Sequence, residues 1–174
     1  MLATDENDNI IVETGENHTK IFVSGSNDAL PRAAIAQMEG LSTNQITDAW
    51  LANSEVYGRS ADYALETELG LDVWDEVTPD NSVTSNHLLF ERGYEYAPEG
   101  KYMNRNADGE DELHPVYIGA YGEGARPIMN TEFLHNGGSK NIVIQGIDYQ
   151  AGFRIQGSGE NVMINDINVE NKPL

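Results

Sequence analysis

A nine-residue segment near the C-terminus occurs twice, and its two copies lie 20 positions apart. Residues 141–149 read Asn-Ile-Val-Ile-Gln-Gly-Ile-Asp-Tyr, and residues 161–169 read Asn-Val-Met-Ile-Asn-Asp-Ile-Asn-Val. Each copy contains a short apolar run followed by Gly, Asn or Asp. A repeat of about 20 residues with these features is typical of a solenoid, whose successive turns stack on one another. The repeat therefore favours stacked short strands over an ordinary globular sheet.

Two kinds of pattern precede the repeat. Residues 20–25, 87–93 and 116–124 are apolar runs that end at glycine, as strands do. Residues 31–63 instead carry apolar side chains at helical spacing, which predicts one or two short helices. Residues 61–74 fit a third helix, broken at Gly70. The alternative interpretation is that these apolar residues simply pack in the hydrophobic core.

These patterns together predict a mainly β fold. We expect a right-handed parallel β-helix solenoid with an N-terminal strand and a helical cap. Its inward side chains would include Ile142, Ile144, Ile147 and Ile155. In domain terms, residues 1–86 would form the strand and the partly helical cap, and residues 87–174 the first coils.

Charge excludes two classes of partner. The chain has 29 acidic residues against ten basic ones, a net charge of −19, which repels nucleic-acid phosphates and anionic lipids. The same charge suits divalent cations or a salt-rich medium, while a polyanionic substrate would need a local basic site. With no cysteine in the chain, disulfides and thiolate metal sites are excluded, but no compartment is indicated.

The N-terminus does not look like an intact signal peptide. Residues 1–8 lack both a basic region and an apolar stretch, and no run approaches the roughly 20 apolar residues of a membrane span. We therefore expect no membrane insertion. A cytosolic location, a removed export signal and a signal outside this chain are all compatible with the sequence.

Four segments, in this order, resemble the opening of a known group of proteins. They are residues 20–24 (Lys-Ile-Phe-Val-Ser), 88–93 (Leu-Leu-Phe-Glu-Arg-Gly), 118–128 (Ile-Gly-Ala-Tyr-Gly-Glu-Gly-Ala-Arg-Pro-Ile) and 141–147. Together they are similar to secreted β-helix proteins of the pectate-lyase-like superfamily. The similarity covers roughly residues 20–28 and 87–171. The chain departs from the pattern at residues 29–86, which are longer and more helical than that group implies.

The resemblance implies carbohydrate chemistry outside the cell or at its surface. The expected function is that of the N-terminal part of a secreted carbohydrate-active protein, polysaccharide lyase-like, that acts on or binds an extracellular glycan. The alternative is a non-catalytic surface, adhesion or filament protein, including a phage tail spike component. Because no capping segment is visible after Val169, we expect either further coils or another chain over the open end. A short isolated β-helix enzyme is the third alternative.

A loop in the middle of the chain suggests calcium. Asn104, Asn106, Asp108 and Glu110 place oxygen atoms at alternate positions around Gly109, as calcium loops do. Asn stands where such loops begin with Asp, and Pro115 stands where the bidentate Glu belongs. A solvated acidic loop is the competing interpretation.

The outward face of the repeat supplies candidate substrate contacts. They are Gln145, Asp148, Arg154 and Asn168, of which Asp148 and Asn168 are one period apart. Such side chains could bind sugar hydroxyls, and a guanidinium can pair with both oxygens of a uronate carboxylate. Any solvated face of a stacked protein would also carry polar residues. The four histidines show neither metal-ligand spacing nor a triad pattern, so no catalytic residue is assigned.

Overall fold

The structure is a computed structural model that describes residues 2–7, 9–98, 106–130, 133–136, 138–151, 153–156 and 159–169, with backbone alone for 133–136 and 153–156. The α-helices are α1 (Arg32–Glu39), α2 (Asp48–Ala52) and α3 (Thr67–Val77). The strands are β1 (Lys20–Ser24), β2 (Leu65–Glu66), β3 (His87–Glu91), β4 (Glu95–Tyr96), β5 (Val116–Tyr121), β6 (Ile128–Met129), β7 (Phe133–Asn136), β8 (Lys140–Gln145), β9 (Asp148–Tyr149), β10 (Phe153–Gln156), β11 (Glu160–Asn165) and β12 (Asn168–Val169).

All paired strands of the three sheets run parallel. The largest sheet has six strands in the order β11-β8-β5-β3-β1-β2, and a second has four in the order β12-β9-β6-β4. Strands β10 and β7 form a separate pair. The two copies of the sequence repeat lie side by side, because β8 pairs with β11 and β9 with β12 at an offset of 20 residues.

A row of branched aliphatic side chains crosses the six-stranded sheet. We call it the aliphatic ladder; its members, each opposite the next on the neighbouring strand, are Ile21, Leu88, Ile118, Ile144 and Ile164. The first four are fully buried, and Ile164 is partly buried against the same core. Burial of each such side chain contributes roughly 1.5–3 kcal/mol relative to exposure, so the ladder is a principal source of stability.

The helices bury their apolar side chains in the same core as the strands. Ile35 of α1, Leu51 of α2 and Trp74 of α3 all belong to the cluster that contains the ladder. Helix α2 starts where the Thr47 side chain accepts a hydrogen bond from the Trp50 backbone N–H, as an N-cap residue does. The helical segment is thus part of the core.

The predicted fold class is wrong. Among the described residues the chain is a mixed α/β protein, with parallel sheets of six and four strands and three α-helices, and no closed solenoid is found. The reason is visible in the spacing of the ladder. Its successive members are 67, 30, 26 and 20 residues apart, so the 20-residue period holds only for the last pair. The 20-residue period of the C-terminal repeat does not extend to β1, β3 and β5.

The structure also bears on four smaller expectations. The apolar runs at residues 20–25, 87–93 and 116–124 contain β1, β3 and β5, as predicted. Helix α3, however, continues through Gly70, so the predicted break there is wrong. Of the expected inward residues, Ile142, Ile144 and Ile147 are fully buried, whereas the side chain of Ile155 lies outside the described part of the chain. Strands β1 and β3 pair across the predicted boundary between residues 86 and 87.

Gly70 lies where α3 crosses β1. A Cβ atom at this position would stand 2.6 Å from Cγ2 of Val23, inside van der Waals contact. We expect Gly70→Ala to lower the free energy of unfolding by about 1–3 kcal/mol through overpacking, despite a helix-propensity gain of about 1 kcal/mol. Chemical denaturation measures the change. Val23→Ala removes the opposing methyl groups and should make the double variant less destabilised than the sum of the single ones; additive effects would contradict the close contact.

Candidate functional site

Three charged side chains meet beside the four-stranded sheet. Arg126 precedes β6, Asp148 begins β9, and Asp166 lies in the turn between β11 and β12. The Nη1 atom of Arg126 is 3.3 Å from Oδ1 of Asp148, and its Nη2 atom donates to Oδ1 of Asp166. We call these three residues the arginine–aspartate cluster. Its position follows from the register, because parallel strands bring equivalent turns of the chain to one edge.

The cluster is half exposed and carries one net negative charge. The side chains of Arg126, Asp148 and Asp166 keep 34%, 27% and 45% of their surface exposed. Exposed ion pairs of this kind contribute little to stability, roughly 0–1 kcal/mol each. Their chemistry is more informative: two carboxylates held by one guanidinium present oxygen atoms that accept hydrogen bonds from hydroxyl groups.

Three of the four predicted substrate contacts lie near this cluster in the fold. Asp148 is a member of it, and Asn168 is directly opposite Asp148 on β12. Gln145 ends β8, only three residues before Asp148, and is opposite Asn165. Arg154 lies instead in β10, opposite Leu134, in the separate strand pair, and its side chain is outside the described part of the chain.

Asp166 was not among the predicted site residues, and neither was Arg126. The partners of Arg126 are 22 and 40 residues away along the chain, so no local spacing links them. The turn at Gly146 adds a second arginine, because the Nη2 atom of Arg92 lies 3.4 Å from the position that a Cβ atom would take there. The glycine has a φ of +72°, a backbone conformation that few other residues adopt.

Two carboxylates of the acidic loop, the predicted calcium site, form hydrogen bonds with other parts of the protein. Oδ1 of Asp108 accepts a 2.7 Å hydrogen bond from the Lys140 backbone N–H, and Oε1 of Glu110 accepts one of 3.2 Å from Ser85. Asn106 adopts a φ of +59°, and Asn104 lies outside the described residues. No group of three or more His, Asp or Glu side chains converges as metal ligands would within the described ranges. Calcium binding stays a prediction.

The histidines occupy very different environments. Nδ1 of His114 lies 2.9 Å from Oδ1 of Asp111 on the surface; this contact raises the pKa of His114 and lowers that of Asp111. His87 on β3 is buried, and its ring lies 5.1 Å from that of Tyr117. Burial lowers the pKa of His87 to about 4, and the nearby charges of Lys20 and His18 contribute to the shift. His87 is therefore neutral at pH 7.

Comparison of the chain with known protein families, curated proteins and solved structures finds no match. The resemblance to the pectate-lyase-like superfamily consequently rests on the four sequence segments alone. Within the described residues, no helix is long and apolar enough to cross a bilayer, and α3 extends over only 11 residues.

The buried His87 predicts a loss of stability in mild acid. In the unfolded chain its pKa is 6.5, so between pH 6.5 and about 4 the unfolded state binds the proton and the folded state does not. The free energy of unfolding should fall as the pH drops through this window, by roughly 3 kcal/mol in total. His87→Leu should flatten that part of the curve in chemical denaturation at several pH values. An unchanged pH dependence in this variant would refute the assignment.

Proposed function

We propose that the protein binds an extracellular glycan through the arginine–aspartate cluster and the polar side chains beside it. The observation that supports this proposal is the alignment of Asp148 with Asn168 on adjacent strands, next to the Arg126 contact with both aspartates. Strands in a sheet are about 4.8 Å apart, so Asp148 and Asn168 form an adjacent polar pair, beside which Ile128 occupies the same register on β6. An adjacent polar pair of this kind suits hydrogen bonding with the hydroxyl groups of a sugar unit.

The chemistry of the cluster favours hydroxyl groups as ligands. Arg126 already orients Asp148 and Asp166, which reduces the conformational freedom lost when the carboxylates bind a sugar. Each carboxylate has further lone pairs that accept hydrogen bonds from hydroxyls. The three residues of the cluster carry one net negative charge, which Arg92 at the Gly146 turn offsets, so a uronate polymer would place its carboxylates beside the arginines and away from the aspartates.

The resemblance to the pectate-lyase-like superfamily is part of this proposal as a guide to substrate class, not to architecture. It favours a polysaccharide over a small sugar, and lyase-like chemistry as the activity to assay. A first experiment mixes the protein with soluble neutral and uronate polysaccharides, such as mannan, polygalacturonate and alginate. Calorimetry then measures binding, and ultraviolet absorbance follows the unsaturated ends that a lyase forms. An absence of binding across the panel would refute the proposal.

Asp148→Asn tests the role of the cluster directly. The substitution keeps the shape of the side chain and removes its charge, and hydrogen bonds to a charged group contribute roughly 1.5–3 kcal/mol. We therefore expect glycan affinity to fall about tenfold or more, measured by calorimetry.

Glu160→Gln is the matched control for this substitution. It also removes an exposed carboxylate from an ion pair, here with Lys140 at the start of β8, but at the opposite end of the strands. Its affinity should equal that of the unsubstituted protein. Equal losses in the two variants would mean that overall charge, and not the cluster, governs binding.

A second candidate function is assembly through sheet edges. Among the described strands, β11 and β12 are edge strands of their sheets, and Val162, Ile164 and Ile167 are only partly buried there. An exposed edge of this kind pairs readily with a strand of another chain. This observation favours the surface-assembly alternative over a purely monomeric role.

The assembly proposal predicts self-association or capture of a strand at β11. Sedimentation velocity over a range of concentrations should show oligomers. Asn165→Lys, at an exposed position of β11 outside the aliphatic ladder, should abolish them because a charge on an edge opposes pairing. Glu123→Lys, in the exposed turn after β5, is a control that should leave association unchanged. A protein that stays monomeric at every concentration would contradict self-assembly.

A further inference from the structure

A polar cavity of about 560 Å³ lies between the start of β1 and the end of α2. Its wall includes His18 and Lys20 from the β1 side, and Asn53, Glu55 and Arg59 from the segment after α2. The cavity is remote in sequence from the arginine–aspartate cluster and shares no residue with it. The glycan proposal therefore does not account for this cavity.

The charge in this cavity is opposite to that of the whole protein. Acidic residues outnumber basic ones 29 to 10 in the chain, yet Lys20, Arg59 and His18 face a single carboxylate here, that of Glu55. Within the described residues neither Lys20 nor Arg59 forms an ion pair, whereas Arg32, Arg126 and Lys140 each have a carboxylate partner. A concentration of unpaired cations in so acidic a chain favours an anionic ligand.

Arg59 has an unused hydrogen-bonding group. Its Nη2 atom donates to the carbonyl oxygens of Leu51 and Ala52, at 3.2 and 2.8 Å, and so holds the guanidinium against the end of α2. Its Nη1 atom is inaccessible to solvent and has no hydrogen-bond partner in the described part of the chain. Burial of an arginine without a partner for every donor is unusual in a folded protein.

The strand next to β1 carries a neutral imidazole beside Lys20. His87 is directly opposite Lys20 on the neighbouring strand, and its Nε2 atom is also buried without a partner among the described residues. Burial, and after it the charges of Lys20 and His18, lower the pKa of His87 and keep its ring neutral. The excess positive charge of the cavity wall is therefore concentrated on Lys20 and Arg59.

We propose that this cavity is an oxyanion-binding site for a sulfate, phosphate or carboxylate group carried by a small molecule or a sugar. Lys20 supplies a mobile ammonium group, and Arg59 supplies a guanidinium that is fixed by the end of α2. Glu55 limits the affinity because its charge repels the same ligand. The proposal goes beyond the glycan site at the arginine–aspartate cluster and does not depend on it.

Calorimetric titration with sodium phosphate, sodium sulfate and sodium glucuronate, each at constant ionic strength, tests the site. We expect saturable binding of at least one of these anions. Binding of phosphate or sulfate identifies a tetrahedral ligand, and binding of glucuronate alone identifies a sugar carboxylate. No saturable binding of any of the three would overturn the proposal.

Variants separate a binding site from a structural feature. Lys20→Gln should weaken anion binding at least tenfold, and it breaks no side-chain ion pair described in the fold. Lys140→Gln is the control: it removes a lysine elsewhere in the protein and should leave anion binding unchanged. Glu55→Gln should tighten binding several-fold, an effect that a merely structural residue would not produce. Equal affinity in the Lys20→Gln and unsubstituted proteins would refute the site. Asp148→Asn should leave anion binding intact, so failure of the glycan proposal and failure of this one are distinguishable.

Discussion

The parallel register of the six-stranded sheet is the constraint on which the rest of the structure depends. It sets one aliphatic side chain directly beside the next from Ile21 to Ile164, so that each strand covers the apolar face of its neighbour. The helices complete the same core from one side through residues such as Leu51 and Trp74. The basic cavity lies where β1 of this sheet begins, and the arginine–aspartate cluster lies where β9 and β12 of the four-stranded sheet begin.

The positions of the strands could be predicted from sequence, because short apolar runs ended by glycine are a local signal. The pairing of the two repeat copies could also be predicted, because the sequence shows their offset of 20 residues directly. The overall class could not be predicted in this way. It depends on connections of very different length and on helices whose buried side chains join the strand core, and neither feature belongs to any single segment.

The candidate sites also differ in how far the sequence indicates them. The proximity of Asp148 and Asn168 followed from the repeat and was predicted. Arg126 was missed because its carboxylate partners come from later turns of the chain. The basic cavity was missed for a similar reason: Lys20 and Arg59 are separated by α1 and α2, and only the folded chain places them on one wall. Contacts between charged residues that are far apart in the chain produce no recognisable pattern in a single sequence.

The unequal spacing of the aliphatic ladder has a consequence for how this protein can vary. Lengthening a connection from about 20 to 67 residues adds only about 1 kcal/mol of loop-closure entropy. The 67-residue connection between Ile21 and Leu88 contains all three helices and most of the basic cavity wall. The connection can therefore change in length at little entropic cost as long as its helices keep the side chains, such as Leu51 and Trp74, that complete the core. The exposed cavity wall after α2 is the part in which such variation would alter what the protein binds.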